Sequence, residues 1–177
     1  MKRSELEHVI RACSAIVGDN ELVIVGSQAI LGQFPSAPAE LLLSLELDVY
    51  PRNKPELSIV IDGAIGEHSS FHHAFGYYAH GVSPETAVLP HGWESRLISV
   101  RNENTRDATG WCLEAHDLAT SKLAAGREKD HDFVAALLKH RMADSSVLKT
   151  RLSQLELDKK RIQELEQRLS RLMTETT

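Results

Sequence analysis

Two carboxylates two positions apart, Glu46 and Asp48, stand in the alternating stretch Leu45-Glu46-Leu47-Asp48-Val49-Tyr50. On a strand, that spacing points both acids to one face. A rigid pair of oxygen ligands suits a divalent cation, Mg²⁺ or Mn²⁺, held against phosphates while charge builds on a leaving group. The same pair also suits the exposed acidic face of a sheet. A second feature is Gly26-Ser27, which follows the β-branched run Leu22-Val23-Ile24-Val25. A strand-to-helix turn with glycine lets a phosphate come close to the backbone. A third is the segment Asp117 to Asp130, in which Lys122, Arg127 and Lys129 could bind phosphates, Arg127 in bidentate fashion. The alternative there is a capping and ion-pair network joining two helices, with Asp130 as an N-cap.

The elements that carry these residues are legible in outline. Ser4 and Glu7 predict a capping box, and Leu6, Val9, Ile10 and Ile16 the apolar face of a helix ending at Gly18. The run from Leu22 reads as a buried strand. Gln28 to Leu31 begin a short helix, and Leu45–Tyr50 form a period-2 strand closed by Pro51. Residues 55–75 read as helical or mixed. The stretch 76–100 reads as β-rich, at Tyr77–Ala79, Ala87–Leu89 and Leu97–Val100. Helical periodicity returns from Leu113 to Gly126 and again over roughly Asp130 to His140. The tail repeats Leu148, Leu155, Ile162 and Leu169 at heptad spacing, with Leu152, Leu165 and Leu172 beside them. It predicts an amphipathic helix of about 28 residues with a coiled-coil-like seam, pairing with a copy of itself or folding back.

The chain has 177 residues and a net charge of -5, so it lacks the basic excess of a general nucleic-acid binder. Cys13 and Cys112 form no CxxC pair and read as buried free thiols. The N-terminus is charged and amphipathic, and no apolar run approaches the ~18 residues of a membrane span. The expectation is a cytoplasmic protein with no membrane partner.

Taken in order, VIVGSQAI, SLELDVYP and EAHDLATSKLAAGREKDHDFVAALL resemble the minimal nucleotidyltransferases of the polymerase-beta-like superfamily. The likeness is nearest to those related to abortive-infection and toxin–antitoxin systems. The resemblance covers roughly residues 5–140. It implies an α/β fold, a small mixed sheet flanked by helices, in a domain over 1–142, with a C-terminal helical extension over 143–177. It further implies transfer of a nucleoside monophosphate from an NTP to RNA or to a protein side chain. Gly26 and Ser27 would face the triphosphate and Glu46 and Asp48 would hold Mg²⁺ or Mn²⁺. Lys122 and Arg127 would meet the phosphates. Asp130 would be a further acid, with Asp132 a weaker substitute.

The chain departs from the family pattern in three ways: a proline-bearing loop separates Gly26 from Glu46, the leading acid is glutamate, and Asp62 is poorly placed as a third carboxylate. Those departures leave open an alternative, a degenerate nucleotidyltransferase fold acting as an interaction module whose tail mediates self-association. His68, His72 and His73 have i, i+4 spacing suited to a metal but lack an evident further ligand. Trp93 reads as a packing residue or as a base-stacking platform.

Overall fold

The computed structural model describes residues 1–175. The apolar spacing near the N-terminus becomes helix α1 (Arg3–Val17), which buries Leu6, Val9, Ile10 and Cys13. Its start differs from the expected capping box. The Lys2 amide donates to Glu5 Oε2 at 2.6 Å, while Glu7 accepts from the side chains of Asn102 and Asn104, each at 2.8 Å. Gly18 ends the helix in the left-handed region, φ 61°, with its amide on the Ser14 carbonyl.

Five strands follow: β1 (Glu21–Ile24), β2 (Glu46–Pro51), β3 (Tyr78–Gly81), β4 (Ile98–Val100) and β5 (Thr109–Cys112). They form one mixed sheet in the order β3-β2-β1-β5-β4. β1 is antiparallel to β2 and parallel to β5, β2 is parallel to β3, and β4 is antiparallel to β5. The central strand β1 is apolar on both faces, as expected of a run buried by neighbours on each side. Short helices α2 (Ile30–Gln33), α3 (Ser58–Ile65) and α4 (Ser70–Phe75) lie in the connections. The protein is therefore a mixed α/β fold with its sheet flanked by helices. Gly110 on β5 has no room for a side chain, because an added Cβ would stand 2.9 Å from Ile10 Cγ1 and 3.0 Å from Ile24 Cδ1. Cys13 and Cys112 are buried free thiols, and burial pushes the Cys112 thiol up to about 12.

The chain makes two compact units. The first comprises Met1–Thr86 with Leu97–Leu113 and holds the whole sheet; the second comprises Ala87–Arg96 and the chain from Glu114 onward. Ala87–Leu89, expected as a strand, is irregular and belongs to the second unit. That unit is helical: α5 (Ala115–Ala125), α6 (Glu128–Lys139), α7 (Ser145–Ser153) and α8 (Lys159–Glu175). Leu118, Leu123, Val134, Leu137, Leu148 and Leu165 are among its fully buried side chains. The tail is two helices rather than one. Asp158 starts α8 by accepting the Arg161 amide at 2.9 Å, which interrupts the long helix that the heptads predict. Its leucines are buried inside the unit, so the tail folds back on α5 and α6. No helix among the described residues is long and apolar enough to cross a membrane.

Candidate functional site

β1 delivers the chain to Gly26 alongside β2, where the Val25 amide donates to the Asp48 carbonyl at 3.1 Å. Gly26 has an ordinary extended backbone, φ -84°, so conformation does not demand glycine. Space does: a Cβ there would lie 2.7 Å from Asp48 Cγ and 2.8 Å from its Cβ. The Gly26 backbone thus lies directly against the Asp48 carboxylate. Beyond it, Ser27–Ala29 form a single 3₁₀ turn, closed by the Ala29 amide on the Gly26 carbonyl at 2.9 Å. Ser27 is half-buried, and next to it the Gln28 amide group is buried with neither its nitrogen nor its oxygen paired. An unpaired buried amide is costly, and ligand or water is its ordinary complement.

Glu46 and Asp48 leave β2 on one face, as the alternation predicts, and both are half-buried. The parallel register then sets Glu46 opposite Tyr78 and Asp48 opposite His80. Tyr78 donates its hydroxyl to Glu46 Oε2 at 3.2 Å, and His80 Nδ1 lies 2.9 Å from Asp48 Oδ1. One ligand atom from each of Glu46, Asp48 and His80 falls within 4.8 Å of the other two. No other such trio of His, Cys, Asp and Glu occurs among the described residues. Two carboxylate oxygens and an imidazole nitrogen, converging on a rigid strand pair, are a donor set that fits a divalent cation.

Three acids make the local field negative. Burial works against a charged imidazole at His80, yet the Asp48 hydrogen bond and the charges of Asp48, Glu46 and Asp62 carry its pKa above the ordinary histidine value. Burial and the Glu46 charge push the Tyr78 hydroxyl up to about 12. Asp62, on α3, is thus close enough to act on this centre. β3 is tight under α3, since a Cβ at Gly81 would stand 2.7 Å from the Ser58 carbonyl carbon.

In the second unit, Lys122, Arg127 and Asp130 find one another. Asp130 is fully buried, with Lys122 Nζ 3.2 Å from Oδ1 and Arg127 Nε 2.7 Å from Oδ2. Burial raises its pKa, but the Arg127 hydrogen bond and the Lys122 charge outweigh that and hold the carboxyl below its usual range. Lys122 Nζ also sits 5.7 Å from the Phe133 ring centre. Arg127, not Asp130, is the N-cap of α6, and Asp130 accepts the Arg127 amide from the third helical position. Asp132 is exposed. Asp117 is bridged by Arg96 at 2.7 Å and Arg151 at 3.1 Å.

Of the residues singled out in the sequence, Gly26, Glu46 and Asp48 meet in the first unit, with Ser27 at their edge. Lys122, Arg127 and Asp130 meet in the second. His68, His72 and His73 do not converge on a metal: His72 Nδ1 accepts the His68 amide at 3.0 Å. Trp93 opens a 3₁₀ turn and is half-buried. The residues that the sequence reading missed are Tyr78 and His80. Their x-spaced pattern repeats that of Glu46 and Asp48, and that repetition was the available signal.

A model of one protein family, described as "Nucleotidyltransferase of unknown function (DUF6036)", matches residues 4–175. Neither a curated protein nor a solved structure matches the chain.

Proposed function

The chain belongs to this family of nucleotidyltransferases, and on that premise we propose that it is a metal-dependent enzyme. It would move a nucleoside monophosphate from an NTP to an acceptor hydroxyl on RNA or protein. Within that reading the chain sits in the polymerase-beta-like superfamily, near its abortive-infection and toxin–antitoxin members, and works in the cytoplasm. One observation carries the proposal: Glu46 and Asp48 share a face beside a glycine whose backbone touches the Asp48 carboxylate.

A divalent cation, Mg²⁺ or Mn²⁺, would supply Lewis-acid polarisation of the phosphate and neutralise charge on the departing pyrophosphate. Glu46 and Asp48 would hold it. In the transfer, the acceptor oxygen bonds to the α-phosphorus as the bond to the pyrophosphate oxygen breaks, and the acceptor proton passes to water. The missing side chain at Gly26 leaves room for the Asp48 carboxylate against the backbone, and Ser27 stands beside that contact. Tyr78 steadies Glu46 through its hydroxyl. The family resemblance assigns Lys122 and Arg127 to phosphate; within the second unit both are held by Asp130.

Asp48→Asn is the test. The half-buried side chain keeps its shape, so the thermal midpoint should stay within a few degrees while transfer of labelled NMP disappears. Equal activity in wild type and variant would rule the assignment out.

A second reading, a non-catalytic interaction module, is favoured by one observation. Lys122 and Arg127 are already engaged by Asp130. Thermal shift separates the two. A ligand at a hundred times its Kd stabilises by roughly 2.7 kcal/mol, which is several degrees for a chain of this size. Stabilisation by Mg²⁺-NTP that is lost in Asp48→Asn supports the enzyme; no shift with any NTP supports the module.

A further inference from the structure

We propose that His80 is the third protein ligand of the cation at Glu46 and Asp48, and that the site therefore selects first-row transition-metal divalents such as Mn²⁺ over Mg²⁺. The inference rests on the reading of Glu46 and Asp48 as cation ligands and goes beyond it by naming the ligand and the metal class.

The geometry is that of neighbouring positions around one ion. Two cis ligands, each about 2.1 Å from an octahedral cation, stand about 3 Å apart. His80 Nδ1 and Asp48 Oδ1 are 2.9 Å apart. The Glu46 donor lies within 4.8 Å of both, so a small side-chain adjustment brings it into the same coordination sphere. The parallel register places His80 opposite Asp48 and Tyr78 opposite Glu46, so the imidazole is delivered by backbone pairing rather than by a mobile loop. The His80 side chain is 50% exposed, which leaves its far ring nitrogen able to carry the proton toward solvent while Nδ1 ligates. Tyr78 gives Glu46 an outer hydrogen bond of the kind that orients ligating carboxylates.

The donor type sets the preference. Mg²⁺ is a hard cation that takes oxygen ligands and keeps its waters. Imidazole nitrogen binds first-row transition divalents in preference to Mg²⁺. A site of oxygens alone would lack that bias, so replacing one oxygen donor by His80 tilts the ratio. The competing account is an Asp48–His80 ion pair with no metal role.

The experiment uses the full chain with Mn²⁺ alone, and with Mn²⁺ plus inorganic tripolyphosphate. Both probes are free of nitrogen, so any nitrogen coupled to the ion comes from the protein. Pulsed electron paramagnetic resonance should show ¹⁴N modulation from one imidazole, absent in His80→Ala. By calorimetry, His80→Ala should weaken Mn²⁺ at least tenfold and Mg²⁺ much less. His80→Asp should restore tight binding with the Mn²⁺-to-Mg²⁺ ratio reduced about tenfold. Circular dichroism checks that both variants are folded.

Wild-type protein with no ¹⁴N modulation under either condition overturns the proposal in favour of the ion pair. So does an Mn²⁺-to-Mg²⁺ ratio that stays the same in His80→Ala. Neither outcome touches the transfer reading, which stands or falls with Asp48→Asn and labelled NTP.

Discussion

Glu46 depends on the Tyr78 hydroxyl for its orientation, and outer hydrogen bonds of this kind change metal affinity by about 10- to 100-fold when removed. Tyr78→Phe keeps the ring, which packs 4.6 Å from the His72 ring, and should therefore melt as wild type while binding Mn²⁺ about tenfold more weakly. Calorimetry alongside a melt checks both halves. Gly26→Ala acts on the other carboxylate. Its backbone conformation accepts alanine, so the whole effect comes from the methyl group driving Asp48 aside. Cation binding should be lost, at a stability cost of about 1–3 kcal/mol read from the urea midpoint.

Glu7 contributes to the acid response together with Asp19, Glu114, Asp130 and Asp144, whose carboxyls are also held below their ordinary range. Burial raises the Glu7 pKa, but the side chains of Asn104, Asn102 and Arg3 outweigh that and hold it below the ordinary 4.5. A depressed carboxylate contributes stability that is complete above its unfolded pKa and is lost as the pH falls through the folded one. The urea midpoint should drop below about pH 4.5. Glu7→Gln should be less stable at pH 7 and lose less on going down to pH 3. A variant with the wild-type acid slope would assign that slope to other carboxylates.

At the scale of elements, the sheet and the helical hairpins obey different signals. Period-2 alternation alone places Glu46 and Asp48 on one face. It carries no information about which strand β3, expected near Tyr77–Ala79 and found at Tyr78–Gly81, would pair with. The heptad leucines of the tail marked a buried stripe correctly but not the break after Ser153, where Asp158 caps a new helix. The stripe's partners are α5 and α6. Leu165→Ala, at a position with no exposure, should cost about 2–5 kcal/mol. The exposed neighbour Glu166→Ala should stay within about 0.5 kcal/mol. Equal effects at the two positions would show that this face of α8 is not packed.

At the scale of the whole molecule, each unit is assembled from separate stretches of chain. β5 is the parallel neighbour of β1 although it follows the 87–96 segment, which belongs to the second unit. Ending the chain at residue 142 would remove Leu148, Leu152, Leu155, Leu165 and Leu169 from the second unit's interior. Such a chain should bind more of an apolar dye than the full chain does, and should lose cooperative melting for that unit. A cooperative truncation that binds no more dye than the full chain would show that α5 and α6 need no cover.

The sequence by itself determined the local facts: the acid pair on one strand face, the glycine after the buried run, the helix stop at Gly126 and the apolar stripe of the tail. Each follows from periodicity or from a single residue's backbone demands, which neighbours along the chain already encode. Tertiary structure decided which groups meet. Only strand register could bring Tyr78 to Glu46 and His80 to Asp48. Arg127 meets Asp130 locally, three positions along the chain, but only helix packing could close Lys122 onto Asp130, and Arg96 and Arg151 onto Asp117. Those longer-range pairings join residues on separate elements of the chain, so charge and burial in three dimensions, not the local pattern, selected them.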